Sequence, residues 1–185
     1  MDSTVRVVFL NGVGSAGKTS IAKALQTITT EPFLHVQMDT FLDMLPEAYH
    51  NHPDGCSYET VREDGTPRVA IKIGPVAERA LKGMRHAIAA MAGQGNNLIV
   101  DNVILGGATA EYAGLLSRFE VIMVGIFAPL DVLESRERRR DDRLIGLARW
   151  QYHRVHRGVN YDLEIETSKL SPMECASLIK ERFLL

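Results

Sequence analysis

The stretch Gly12-Val13-Gly14-Ser15-Ala16-Gly17-Lys18-Thr19 decides how this chain is read. It satisfies G-x-x-x-x-G-K-[ST] at every specified position, the pattern of a loop that wraps a polyphosphate. Glycines let successive backbone N–H groups turn toward anionic oxygens, Lys18 adds a point charge, and the Thr19 hydroxyl suits Mg²⁺. Upstream, Thr4-Val5-Arg6-Val7-Val8-Phe9-Leu10 is a short β-branched and apolar run that reads as a buried parallel strand. Downstream the period changes, and Ile21, Ala22, Leu25 and Ile28 fall on one helical face. The loop therefore sits between a strand and a helix N-terminus, whose dipole and free N–H groups favour anions.

With 185 residues and 45% hydrophobic content, the chain suits a single domain, residues 1–185, with a core of its own. Against 23 Asp and Glu stand 21 Lys and Arg, a formal net charge of -2 that recruits neither nucleic acid nor an anionic membrane. Cys56 and Cys175 lie far apart with no C-x-x-C spacing, so neither a disulfide framework nor a zinc site is expected. A reducing cytoplasm is the expected location. The amino-terminal apolar run is too short for a signal peptide and leads directly into the phosphate loop, and no stretch approaches membrane-spanning length.

Pro32 to Met38 reads as a second strand ending at Asp39. A carboxylate at the carboxyl end of a parallel strand points into the crevice where open α/β sheets bind ligands, which makes Asp39 a candidate catalytic group. The alternative is that Asp39 caps a helix starting at Thr40. From Pro46 to about Gly74 the periodicity lapses in a region rich in His, Asp, Gly and Tyr, longer than an ordinary connection and expected to be a functional loop. His50 and His52 within it lack a third ligand, so no zinc is expected. From Gly74 to about Gly93, Val76, Ala80, Met84, Ile88 and Met91 recur at helical spacing. Asn97-Leu98-Ile99-Val100-Asp101 is an apolar strand ending in an acid, the weak form of a second nucleotide signature in which Asp101 orients Mg²⁺ or its water.

Gly106-Gly107 breaks the chain before a further helix, and Val121 to Phe127 reads as another buried strand. A helix starting near Pro129 and Asp131 runs on to Arg143, with five arginines facing five acids once Asp131 is counted, so it is not a nucleic-acid patch. On a helix, Arg136, Arg140 and Arg143 share a face by spacings of four and three. Such a row can close over a triphosphate, or it can be an ordinary solvated, salt-bridged surface. Tyr161 to Thr167 alternates like a strand, and Ser171-Pro172-Met173-Glu174 is a capping box with Pro at the first helical position. Strands and helices in alternation give an α/β fold of P-loop NTPase type: a doubly wound, mostly parallel sheet with helices on both faces and an arginine-bearing lid.

Nearly the whole chain resembles the chloramphenicol phosphotransferases, small P-loop kinases that phosphorylate a primary hydroxyl of that antibiotic. The likeness rests on Leu10-Asn11-Gly12 with Ser15-Ala16-Gly17-Lys18, on Glu31-Pro32-Phe33, on Met38-Asp39-Thr40 with Pro46, and on Asp101-Asn102-Val103-Ile104-Leu105-Gly106-Gly107. It continues in Arg136-Glu137, Arg140, Asp142-Arg143 and Gly146, then in Val155-His156 and Gly158-Val159-Asn160-Tyr161-Asp162. The segment from Pro46 to Gly74 departs from the family, as does Asn102 where an acidic pair is common. The resemblance implies that Asp39 is the general base and that Arg136 and Arg140 contact nucleotide phosphates. ATP and Mg²⁺ are then the expected cofactors, held by Gly12 to Thr19 and by Thr19 with Asp101. The expected partner is a small-molecule hydroxyl acceptor, chloramphenicol or a related antibiotic, with homo-oligomer formation left open. The alternatives are a metabolite or sugar-nucleotide kinase of zeta-toxin type, which predicts a cationic or polar acceptor pocket, and a nucleotide-binding module without an acceptor. Phe41, Leu42, Met44 and Leu45 favour an apolar pocket.

Overall fold

The computed structural model describes residues 4–63, 65–105, 108–140 and 144–185. In chain order the elements are β1 (Arg6–Gly12), α1 (Lys18–Ile28), β2 (Phe33–Gln37), α2 (Met38–Leu42), a single 3₁₀ turn (Glu47–Tyr49), β3 (Cys56–Glu63), β4 (Thr66–Ile73), α3 (Pro75–Gly93), β5 (Asn97–Asn102), α4 (Ala108–Leu115), β6 (Glu120–Phe127), α5 (Leu130–Arg138), α6 (Leu147–Gln151), β7 (Leu163–Glu166) and α7 (Pro172–Phe183). Five strands form one sheet in the order β2-β5-β1-β6-β7, and every pairing in it is parallel.

β1 takes the centre because it is apolar on both faces, Val7 to Leu10 being wholly shielded from solvent. The pleat sends Val7 and Phe9 to the face covered by Met84 and Ile88 of α3 and Tyr112 of α4. It sends Val8 and Leu10 to the opposite face, against Ile21 and Leu25 of α1 and Ile179 of α7. Helices thus cover both faces, as doubly wound sheets require. The final helix starts as its sequence dictates: Ser171 and Glu174 exchange backbone and side-chain hydrogen bonds, with Pro172 at the first helical position. Among the described residues, no helix is long and apolar enough to cross a membrane.

Several expectations are corrected. The segment from Pro46 to Gly74 is no irregular loop, for most of it is the antiparallel hairpin β3–β4, with Cys56 opposite Ile73 and Tyr58 opposite Ile71. Its strands lie outside the main sheet and keep most side chains partly exposed, so no apolar alternation marks them. Asp39 neither ends a strand nor caps a helix: β2 stops at Gln37, which is the N-cap of α2, and Asp39 lies in the first turn of that helix. Arg136 and Arg140 do not share a helical face, because α5 ends at Arg138. The Glu137 carboxylate leaves that helix to accept hydrogen bonds from the N–H groups of Gly146 and Ala148, both at 2.8 Å, and so turns the chain toward α6. Arg143, Asp142 and the Gly106-Gly107 break lie outside the described residues.

Candidate active site

The phosphate loop forms where β1 hands over to α1. Gly12 is the last strand residue, and a Cβ there would come within 2.4 Å of the Ile126 carbonyl oxygen on β6. Gly17 has φ +99°, the left-handed region that only glycine enters freely. Lys18 opens α1 and is only 7% exposed. Its Nζ donates to the carbonyl oxygens of Gly12 (2.9 Å) and Val13 (3.1 Å) and lies 3.9 Å from Asp101 Oδ1.

Asp101 reaches this point because β5 pairs with β1 in a register that sets it opposite Leu10. Its Oδ2 accepts a 2.5 Å hydrogen bond from the Thr19 hydroxyl, which in turn accepts from Gln37 Nε2 at 3.2 Å. Burial alone would raise the Asp101 pKa; the neighbouring His35, Lys18 and Thr19 outweigh it and hold the carboxyl below its usual range. An ionised carboxylate beside a hydroxyl at the start of a phosphate-binding helix is a hard-oxygen pair that fits Mg²⁺, which keeps several waters and takes few protein ligands. His50 and His52 serve their own loop, through Leu45 O and the Asp54 N–H respectively.

Two cavities meet here. The first, bordered by Ser15, Lys18, Thr19, Asp39, Asp101 and Arg140, is the candidate phosphate cradle. The second is a larger space of about 390 Å³, walled by Leu42, Ile71, Leu81 and Ile104 and ending at Glu78, Arg85, Glu111 and Tyr112. Met38, Leu42, Ile71, Asn102, Val103 and Gln151 border both. Asp39 therefore stands in the cradle beside the junction. Of the apolar residues expected to favour this pocket, only Leu42 lines it. Phe41 packs into the sheet core, Leu45 is buried against Cys56 and Ala77, and Met44 is exposed.

The arginines divide. Arg140 borders the first cavity, together with Ser15 and Lys18. Arg136 acts instead as a strut: Nη1 donates to Thr167 Oγ1 (2.9 Å), Nη2 to Thr167 O (2.7 Å), and Nη1 reaches Ala16 O at 3.5 Å. Thr167 Oγ1 also donates to Ala16 O at 2.9 Å, so the pair ties the phosphate loop to the end of β7. Both arginines border a third cavity of about 370 Å³ on the outer side of the loop, with Ser15, Ser20 and Pro172.

Sequence reasoning missed a polar framework behind the loop. Gln151, 4% exposed, accepts the Gly14 N–H at 2.7 Å. Asn11 accepts from the Ile104 N–H and donates to Val155 O and to the Tyr161 hydroxyl, which sits 2.7 Å from His156 Nδ1. His156 stacks on Phe127 at 3.9 Å between centroids. Its pKa is pushed down to about 4 by burial and by Lys18, so the ring beside the Tyr161 hydroxyl is neutral. Gln151, Val155, His156 and Tyr161 lie in the C-terminal quarter of the chain, far from Asn11, and no spacing in the sequence announces their meeting.

A profile described as "Chloramphenicol phosphotransferase-like protein" matches residues 5–184. The chain belongs to the chloramphenicol phosphotransferase-like family. A Mycobacterium tuberculosis H37Rv protein provisionally named as an O-phosphotransferase is 31% identical, with 96% of this chain and 82% of the relative covered. The fold is shared with P-loop kinases. The M. tuberculosis APS kinase CysC, solved with AMPPNP and APS, superposes with a TM-score of 0.65 at 16% identity, covering 98% of this chain and 99% of that one. Shikimate kinase from Acinetobacter baumannii gives 0.59 at 12% identity, covering 99% and 94%. Family membership makes this chloramphenicol phosphotransferase-like protein a kinase of P-loop type that uses a nucleotide.

Proposed function

We propose that this family member is an ATP-dependent O-phosphotransferase that transfers the γ-phosphoryl group to a hydroxyl of a small molecule, with chloramphenicol or a related antibiotic as the acceptor the family points to. The observation that carries the reading is the junction of the two cavities. An alcohol seated in the larger one faces a phosphoryl group in the cradle, with Asp39 beside the line between them. Positioning and electrostatics are most of what phosphoryl transfer requires, so a small residue set suffices.

In this mechanism the loop N–H groups and Lys18 hold the β- and γ-phosphates. Thr19 and Asp101 would hold Mg²⁺, which would supply charge neutralisation at the phosphates. Asp39 accepts the acceptor's hydroxyl proton as the oxygen attacks in line, and Arg140 faces the charge that develops on the transferred group. Arg136 keeps Ala16, and with it the loop, in place. A nucleotide-binding module without an acceptor would need no such second cavity. ADP release measured with and without candidate alcohols, with products read by mass spectrometry, tests the proposal. Acceptor-dependent ADP release with a singly phosphorylated product is expected, and ADP release indifferent to every alcohol would contradict it.

A further inference from the structure

Gln151 closes α6 at the point where the two cavities join, and only one end of its carboxamide is used by the protein. The side chain is buried, and its Oε1 accepts the Gly14 N–H at 2.7 Å. A backbone N–H can be met only by the oxygen of a carboxamide, so this bond fixes which way the amide is turned. The NH₂, with its two donors, then stands on the other side. No acceptor among the described residues takes it, and it is not sealed within the core, so it opens on the space that Gln151 lines. Of the residues bordering both cavities, Asn102 is the other one with a polar side chain. Both of its ends are committed, Nδ2 to the Tyr112 hydroxyl at 3.0 Å and Oδ1 to the Val103 N–H at 2.8 Å. The backbone beneath Gln151 is fixed as well: Leu147 and Ala148 are buried, and the Gln151 carbonyl accepts the Arg154 and Val155 N–H groups at 2.8 and 3.0 Å.

We infer that Gln151 is a further catalytic residue, whose NH₂ donates a hydrogen bond to an equatorial oxygen of the phosphoryl group as that group crosses from the cradle to the acceptor. This rests on the phosphotransferase reading of the junction and adds a donor where the transferred charge develops. In phosphoryl transfer that charge spreads over the three equatorial oxygens, so a donor already fixed in place favours the transition state over the bound nucleotide. The amide keeps its protons throughout: the bond to the leaving β-phosphate oxygen breaks, the bond to the acceptor oxygen forms, and Asp39 takes the hydroxyl proton. The Gly14 hydrogen bond supplies the aim, because it removes the side chain's freedom to turn away. Two other uses of the residue make different demands. A brace that serves Gly14 alone needs only an acceptor atom. A latch that withholds the Gly14 N–H from phosphate would oppose nucleotide binding.

Gln151→Glu and Gln151→Met separate these uses. Glutamate keeps an oxygen for Gly14 and loses the NH₂ donors, whereas methionine, of similar length, loses both ends. Calorimetry in the presence of Mg²⁺ gives each protein's affinity for AMPPNP, a ground-state analogue, and for ADP with aluminium fluoride, whose fluorides stand in for the equatorial oxygens of the transferred group. The ratio of the second affinity to the first should fall about 10²-fold in both variants, with the melting temperature of Gln151→Glu near wild type. A wild-type ratio in Gln151→Glu would reduce the residue to a brace and overturn the inference. So would an equal loss of both affinities in Gln151→Met, or tighter AMPPNP binding in the two variants with the ratio kept, which is the behaviour of a latch. Loss of the fold in both variants would make Gln151 a structural residue and overturn it likewise. The wild type tests the reading beneath. If it binds the aluminium fluoride complex no more tightly than ADP alone, the phosphotransferase reading falls and this inference with it; a wild-type preference that survives both substitutions removes this inference alone.

Discussion

Lys18 and Arg136 are both cations at the phosphate loop, yet they do different work. Lys18 points its ammonium at the loop centre, so Lys18→Ala should leave a folded protein whose kcat/KM falls by about 10²-fold or more, a loss of transition-state charge stabilisation. Near wild-type turnover in that variant would remove the phosphate-loop assignment. Arg136 holds Thr167 and Ala16, and losing those charged hydrogen bonds should cost about 1.5–3 kcal/mol in denaturant unfolding. Arg140→Ala should instead lower kcat more than nucleotide affinity; a pure affinity change would make Arg140 an ordinary binding group. His156 gives a pH signature. Its folded pKa of about 4 lies below the ordinary value of 6.5, so the unfolded chain binds the proton first. Its contribution is complete above about pH 6.5 and is lost as pH falls toward 4. Thermal melts of His156→Phe across that window should show a flatter decline than the wild type, and parallel curves would rule the linkage out.

At the scale of elements, the turn after α5 depends on one side chain. Glu137, 3% exposed, holds the N–H groups of Gly146 and Ala148 at the start of α6, and the Gly146 carbonyl accepts from Val69 N–H of β4 at 3.1 Å. The hairpin is thereby tied to the segment that carries Arg140. Glu137→Ala should cost about 1.5–3 kcal/mol in stability and also weaken acceptor use, since Ile71 of β4 borders both cavities. Unchanged unfolding in denaturant would contradict this. The sequence could not disclose that turn, for the C-terminus of α5 is set by a tertiary contact rather than by a Gly or Pro. It did disclose α7, whose start is fixed locally by Ser171, Pro172 and Glu174. β3 and β4 stayed hidden because a hairpin beside the main sheet lacks a strictly buried face, which is the signal that periodicity reads. Asp39 was legible as a candidate but not as a helical residue, since α2 is a single short turn and carries little periodicity.

For the molecule as a whole, the sheet order brings the chemistry together. β1 between β5 and β6 sets Gly12, Lys18 and Asp101 at one edge, and β2 beside β5 delivers Asp39 to the same edge. The alternation of strands and helices made this parallel layout readable, because apolar runs ending at Gly12 and Asp101 are local features. The junction of two cavities was not readable, since it joins α2, β4, β5 and α6 across more than a hundred residues of chain. Its meaning turns on Asp39. Asp39→Asn preserves size and hydrogen-bonding capacity but removes the proton acceptor. The measurement is acceptor phosphorylation by this variant, taken alongside its melting temperature and ATP affinity. If the carboxylate is the general base, transfer falls by about 10²- to 10⁴-fold while melting and ATP binding stay near wild type. Retained phosphorylation would contradict the account and leave Asp39 as a group that orients the acceptor without taking its proton.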